Sequence, residues 1–295
     1  MQLHSNIIGE GKPFVILHGF LGMSDNWKTL GSQFSEQGFQ VHLLTRSHPG
    51  FSLEGTDFCE VVVLDSEFNS KQYRQDDFSS WNGASLSREI DEVNEYLEKI
   101  GDVDLLVVDH YSLGREFEEG VRLENILAID DFSMRPHNCS FLLDYNSGAD
   151  ASYYEKDKVE KFFLGTDYIP ISEKFLNQDP IKKKWNKIFV CFGGSDLDNY
   201  TERVLEALSL TSSFDMDIVV GPYYKHFERI FEKYNSDLVR VYQSPNNMQQ
   251  LMKSSSLAIG SCGVMSWERC CIGLATIGFS IASNQDKIAK DLNFH

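Results

Sequence analysis

Short apolar runs recur along the chain, separated by stretches in which apolar positions return every three or four residues. The runs Phe14–His18, Val41–Thr45, Val61–Asp65, Leu105–Asp109 and Ile126–Asp130 predict one series of strands. Ile188–Phe192, Ile218–Gly221, Leu238–Tyr242, Leu257–Gly260 and Ala275–Phe279 predict a second. Several are apolar almost throughout, as in parallel strands covered on both faces. Helical periodicity is clearest in Leu86–Ile100, where Ile90, Val93, Leu97 and Ile100 share one face. Further helices are expected at Asn26–Gln37, Leu113–Arg122, Asn199–Leu208, Lys225–Tyr234, Met248–Ser254 and Met265–Ile272. Strand and helix in alternation predict an α/β fold with parallel sheets. Asn177–Lys187, with Pro180 and the basic run Lys182–Lys184, reads as a linker. The expected organisation is two Rossmann-like domains, 1–180 and 187–295, with an interdomain cleft.

The length of 295 residues fits two domains, and a 42% hydrophobic and 13% aromatic content suffices for packed cores. Charge narrows the partners. With 27 basic and 44 acidic residues the net charge is −17. Binding nucleic acid by counterion release needs clustered Lys and Arg, and docking on anionic lipid needs the same sign. No apolar run approaches the roughly 20 residues of a membrane span, and MQLHSNIIGEGKPF lacks the pattern of a secretion signal. The six cysteines form no C-x-x-C pair, so neither a zinc site nor a disulfide framework is expected. Cys191 reads as a small buried hydrophobe. A reducing cytoplasm fits this usage.

Candidate chemistry is densest in the C-terminal half. In CFGGSDLDNYT (Cys191–Thr201) a strand runs into Gly193, Gly194 and Ser195 and then into a helix. Glycines there let backbone amides approach a ligand, at the strand ends where open α/β sheets bind ligands. The same pattern also serves a tight strand-to-helix turn. In AIGSCGVMSWERCCIGL (Ala258–Leu274) a strand ends at Gly260, and Ser261, Cys262 and Gly263 lead into a helix. That order aims free N–H groups at a phosphate. Glu268, about one turn into this helix, is placed to accept hydrogen bonds from two sugar hydroxyls; the alternative is a solvated helix charge. Trp267 reads as core. Asn247 and Met248 open a helix after the strand ending at Tyr242, either as an N-cap or as a backbone edge that reads a base.

In the N-terminal half, Asp109, His110 and Tyr111 end a strand, where a His beside a Tyr can serve acid–base chemistry. A hydrogen-bonded strand terminus is the other reading. Asp130 and Asp131 are a carboxylate pair able to bind Mg²⁺, although a polar strand end accounts for them better. No motif requires a metal or a cofactor.

The three C-terminal elements, in this order, resemble the nucleotide-binding half of glycosyltransferase-B-like enzymes. RSHPG (Arg46–Gly50), LLVVDHYSL (Leu105–Leu113), AIDDFSMRPHNCSFLLD (Ala128–Asp144), FGGSD (Phe192–Asp196) and SWERCCIGL (Ser266–Leu274) together resemble a narrower family. It is the UDP-2,4-diacetamido-2,4,6-trideoxy-β-L-altropyranose hydrolases of pseudaminic acid biosynthesis, and the likeness covers about residues 44–285. It implies a UDP-sugar substrate, hydrolysed to UDP and free sugar. It places Gly193, Gly194 and Ser195 near the diphosphate, and Ser261, Cys262, Gly263 and Ser266 at the phosphate loop. Glu268 would hold the ribose, Asn247 and Met248 would sit near uracil, and Tyr111 would lie in the active site. An anion held by backbone amides is compatible with an acidic protein.

The same family carries a catalytic His in a Gly-His loop after the first strand. Here Met23 follows Gly22 at that place, and Met moves no proton. Residues 1–43, with His18-Gly19 and Asp25-Asn26-Trp27, instead resemble the start of an α/β-hydrolase, in which the loop after His-Gly supplies an oxyanion-hole amide. A serine hydrolase also needs a G-x-S-x-G elbow, and the nearest approach is HYSLG (His110–Gly114). His18 is a surrogate candidate for the missing base. Three functions stay open: a UDP-sugar hydrolase, a non-catalytic UDP-sugar binder and an α/β-hydrolase-type esterase. The resembling fold usually adds a strand and a closing helix beyond Phe279, so the C-terminal domain reads as truncated.

Overall fold

The computed structural model describes residues 11–18, 25–46, 60–64, 83–131, 135–154, 159–176, 185–209 and 214–293. Met23, Asp65, the RSHPG run beyond Arg46, Phe132–Met134 and much of the expected linker lie outside them. The chain divides into two compact units, Met1–Ile169 and Pro170–His295. The division falls ahead of the expected linker. Ile171 and Phe175, on the far side of it, pack against Phe189, Leu251 and Leu274 in the second unit.

In the first unit the apolar runs become β1 (Pro13–His18), β2 (Gln40–Arg46), β3 (Glu60–Leu64), β4 (Leu105–Asp109) and β5 (Ile126–Ile129). Two more strands follow, β6 (Cys139–Asp144) and β7 (Val159–Leu164). The sheet is parallel, in the order β3-β2-β1-β4-β5-β6-β7. The last two strands escape a reading by apolar runs. CSFLLD alternates between buried and half-buried positions, and VEKFFL carries two charges at the sheet edge, where one side lacks a neighbour among the described residues.

Helices α1 (Asp25–Glu36), α2 (Leu86–Ile100) and α3 (Arg115–Gly120) belong to this unit. The second begins where Ser85 Oγ accepts the Arg88 N–H and ends at Gly101, whose φ of +69° suits glycine. Its Val93, Tyr96 and Leu97 join Val15, Leu17, Leu106 and Val108 in the main core of the unit. Trp27 of α1 packs with Ile16, Leu43 and Val107 on the opposite face.

The second unit holds β8 (Lys187–Cys191), β9 (Asp215–Val220), β10 (Val239–Gln243), β11 (Leu257–Ser261) and β12 (Thr276–Phe279). They form a parallel sheet in the order β10-β9-β8-β11-β12. Lys187, expected at the end of the linker, instead opens β8, where its ammonium is buried against Asp217 and donates to Ser254 Oγ at 2.8 Å. Helices α4 (Glu173–Leu176), α5 (Tyr200–Ser209), α6 (Phe227–Tyr234), α7 (Met248–Ser254), α8 (Met265–Cys271) and α9 (Asp286–Leu292) accompany it. No helix among the described residues is long and apolar enough to cross a membrane.

Both sheets reverse strand order once near the middle, between β1 and β4 and between β8 and β11. Crevices outside the carboxyl ends of strands at such switch points are where open α/β sheets bind ligands.

Candidate functional site

At the switch point of the second unit, β8 and β11 are paired so that Cys191 lies opposite Gly260. The loops that leave them therefore start side by side. A Cβ built on Gly193 would stand 4.0 Å from Ser261 Oγ. Gly193 has φ of +95°, a conformation that side chains rarely adopt. The rest of the first loop is fixed by Asp196, whose two carboxylate oxygens accept the N–H groups of Tyr200 and Thr201 at 2.8 Å and cap α5. The amides of Ser195 and Gly263 meet no acceptor among the described residues, and both residues are half-buried.

Two expected contacts are redirected. The Cys262 amide donates to Phe279 O at 3.0 Å and its side chain is buried, so it offers no phosphate contact. Ser266 is buried and its hydroxyl accepts from Arg269 Nη2 at 3.0 Å. Arg269 is only 1% exposed. Its Nη2 also donates to Ser261 O at 2.6 Å, bridging the two ends of the loop, while Nε and Nη1 have no hydrogen-bond partner among the described residues. Sequence reasoning passed over this residue, since an Arg after Glu on a helix reads as solvated. Burial lowers its pKa, and the neighbouring thiols and Glu268 pull the other way. Glu268 itself is pushed up to about 7 by burial, against the opposing charge of Arg269.

Asn247 caps α7 with its carbonyl, which accepts from Gln250 N and Leu251 N at 3.0 and 3.2 Å; its side chain makes no cap bond and is exposed. Met248 is partly buried against the Phe189 and Leu251 cluster, so its side chain serves packing. Trp267 is buried.

The switch point of the first unit gathers the other candidates. His18 at the end of β1 and Asp109 at the end of β4 are register partners. Asp109 Oδ2 lies 3.0 Å from His18 Nδ1 and accepts Trp27 Nε1–H at 3.1 Å. Burial raises the Asp109 pKa, but those hydrogen bonds and the neighbouring histidines outweigh it, and the net shift is downward. His18 is buried. His110 turns back on its own chain, with Nδ1 accepting Ser112 N–H at 3.1 Å and lying 2.8 Å from Ser112 Oγ.

Tyr111 donates to Asp131 Oδ2 at 3.2 Å, and Tyr145, at the end of β6, donates to the same oxygen at 2.9 Å. Burial raises Asp131 to about 6; the two tyrosine hydrogen bonds act downward, and the charges of Asp130 and Asp109 act upward. Two carboxylates near enough to interact, at the strand ends of the first sheet, therefore have opposed shifts. The sequence marks Asp131 only as one of a carboxylate pair; its contact with Tyr145 appears only in three dimensions, because Tyr145 follows a strand that the sequence pattern does not reveal.

Its neighbour Asp130 belongs to a buried scaffold. His137 Nε2 lies 3.0 Å from Asp130 Oδ2, and Nδ1 lies 2.6 Å from Glu118 Oε1. Arg135 Nη2 pairs with Asp130 Oδ1 at 3.1 Å, while Arg135 Nη1 donates to the carbonyls of His110 and Leu113. This fixes the turn that carries Tyr111. Ligand atoms of Glu118, His137 and Cys139 lie within 4.8 Å of one another. Both imidazole nitrogens are committed to carboxylates, so the arrangement is an ion-pair network.

Residues 166–289 match a family described as "Protein of unknown function (DUF354)". The chain is 29% identical over 167 residues to the UDP-2,4-diacetamido-2,4,6-trideoxy-beta-L-altropyranose hydrolase of Campylobacter jejuni, covering 53% of this chain and 58% of that protein. It is 24% identical over 203 residues to an uncharacterized protein of Methanocaldococcus jannaschii, covering 62% of this chain and 42% of that one. A Helicobacter pylori protein named pseudaminic acid cytidylyltransferase and UDP-2,4-diacetamido-2,4,6-trideoxy-beta-L-altropyranose hydrolase is 23% identical over 201 residues, covering 65% and 37%. The chain thus spans from about a third to somewhat over half of these relatives' lengths.

Among solved structures, MurG of Acinetobacter baumannii superposes with a TM-score of 0.60 at 13% identity, over 96% of this chain and 84% of that one. Phytolacca americana UGT2 superposes with 0.59 at 14%, over 97% and 84%. Together with the two parallel doubly wound sheets, these likenesses show a fold of two Rossmann-like domains, the glycosyltransferase-B class.

Proposed function

We propose that the protein hydrolyses a UDP-linked 2,4-diacetamido-2,4,6-trideoxy sugar to UDP and the free sugar, a step of pseudaminic acid biosynthesis. The observation that carries this reading is the 29% identity to the Campylobacter hydrolase. The geometry supports a division of labour. In the second unit, the open amides of Ser195 and Gly263 suit the diphosphate and Glu268 suits the ribose hydroxyls. Gly193 and Gly194 would leave room for the phosphates, and Asn247, exposed at the start of α7, is assigned to the base. In the first unit, Asp109, Tyr111 and Asp131 provide groups of different proton affinity. Water adds to the anomeric carbon, the bond from that carbon to the β-phosphate oxygen breaks, and UDP leaves with the electron pair.

A second reading, a UDP-sugar binder without turnover, is favoured by Met23 at the place of the expected His. Release of UDP from the UDP-linked sugar, followed beside a Met23→His variant, separates the two. Turnover by the parent chain supports the hydrolase. Calorimetric binding of UDP without turnover supports the binder, with turnover gained by Met23→His as its mark. Absence of binding at millimolar UDP overturns both and leaves the esterase, for which loss of p-nitrophenyl ester hydrolysis on His18→Ala is the test.

A further inference from the structure

We infer that Asp131 is the proton acceptor for the attacking water, its carboxylate held at the end of the first sheet by Tyr111 and Tyr145; this rests on the hydrolase reading above. Hydrolysis needs a group that takes a proton from water, and the other candidates nearby are committed. His18 is buried, with Nδ1 engaged by Asp109 and Trp27. His110 Nδ1 is engaged by Ser112. Both nitrogens of His137 face carboxylates. Asp109 receives two donors on one oxygen and is held below the usual carboxylate range, which makes it a weak base.

Asp131 differs in geometry. Both tyrosine hydroxyls donate to Oδ2, and Oδ1 receives no hydrogen bond among the described residues. The residue is partly exposed, so Oδ1 can meet water. In the step, a water O–H bond breaks and its proton goes to Oδ1. The oxygen bonds to the anomeric carbon, and the bond to the β-phosphate oxygen breaks with its electrons on UDP. The proton then passes to solvent. The charged and titratable groups around Asp131 are Tyr111, Tyr145, Asp109 with its partner His18, and Asp130 with its partners Arg135 and His137. Their balance keeps Asp131 close to 6, a base suited to neutral pH.

The test is UDP release by the full chain from the UDP-linked diacetamido sugar, across about pH 5 to 9. The parent is expected to show an acid limb in kcat/KM near 6. Asp131→Asn is expected to lose about 10²-fold or more in kcat, the usual worth of a general base, with calorimetric UDP binding preserved. Tyr145→Phe removes a donor that favours the ionised carboxylate, so its acid limb moves upward. Should Asp131→Asn melt far below the parent, Tyr145→Phe alone carries the test. Turnover surviving in a folded Asp131→Asn, or an acid limb unmoved in Tyr145→Phe, overturns the assignment while leaving the hydrolase reading intact. A parent chain that binds UDP and releases none from the sugar overturns both.

Discussion

His137→Ala is expected to destabilise the first unit by about 3–5 kcal/mol. Each imidazole nitrogen faces a carboxylate oxygen, so each must donate and the ring carries a positive charge. With Arg135 it balances Glu118 and Asp130, whose side chains are fully buried. Truncation leaves one buried negative charge without its partner, and breaking a buried pair in this way costs about 3–5 kcal/mol. At about 2–4 °C per kcal/mol for a domain of this size, melting falls by roughly 6–20 °C.

The pH dependence has a definite sign. Burial lowers the His137 pKa, but Asp130 and Glu118 outweigh it and the net shift is upward from 6.5. Its stabilisation is complete below 6.5 and is lost as pH rises through the higher folded value. Urea unfolding at a series of pH values therefore shows the gap between parent and His137→Ala widest near pH 6 and narrowing at higher pH. Adding Glu118→Gln to His137→Ala restores part of the loss. A gap below about 1 kcal/mol at pH 6, or one independent of pH, refutes the charged ring, since either means the carboxylates need no cation.

Three further outcomes bear on the second unit. Glu268→Gln stabilises the fold above pH 7 by up to about 3 kcal/mol, because a carboxyl raised from 4.5 to about 7 opposes folding once ionised; calorimetry shows the same variant losing UDP affinity. On the proposed UDP site, Arg269→Met weakens UDP binding more than uridine binding, because it removes both the Nη2 group that bridges Ser261 and Ser266 and a buried positive charge beside the Ser261–Gly263 loop; equal loss for both ligands counts against that role. Gly193→Ala strains a φ of +95° by about 1–3 kcal/mol and puts a methyl group between the two loops, which lowers both the melting temperature and UDP affinity.

The sequence by itself determined the α/β alternation, most strands and the glycine-bearing loops at the strand ends of the second unit. Those features depend on local periods: apolar runs such as Leu105–Asp109 and Ile188–Phe192, and glycines at strand ends. The predicted α7, Met248–Ser254, and the predicted strand Leu105–Asp109 stand with the same bounds in the structure. Periodicity fails at β6 and β7, where half-buried alternation and edge charges replace the apolar run.

Tertiary structure alone decided how the polar groups are used. Strand order placed His18 opposite Asp109 across a wide gap in sequence. It brought Tyr145 onto Asp131, committed the Cys262 amide to Phe279 and buried Arg269 beneath the loop it ties. Hydrogen bonds and proton affinities are set by neighbours within a few ångströms, and in a parallel sheet those neighbours come from strands that are distant along the chain.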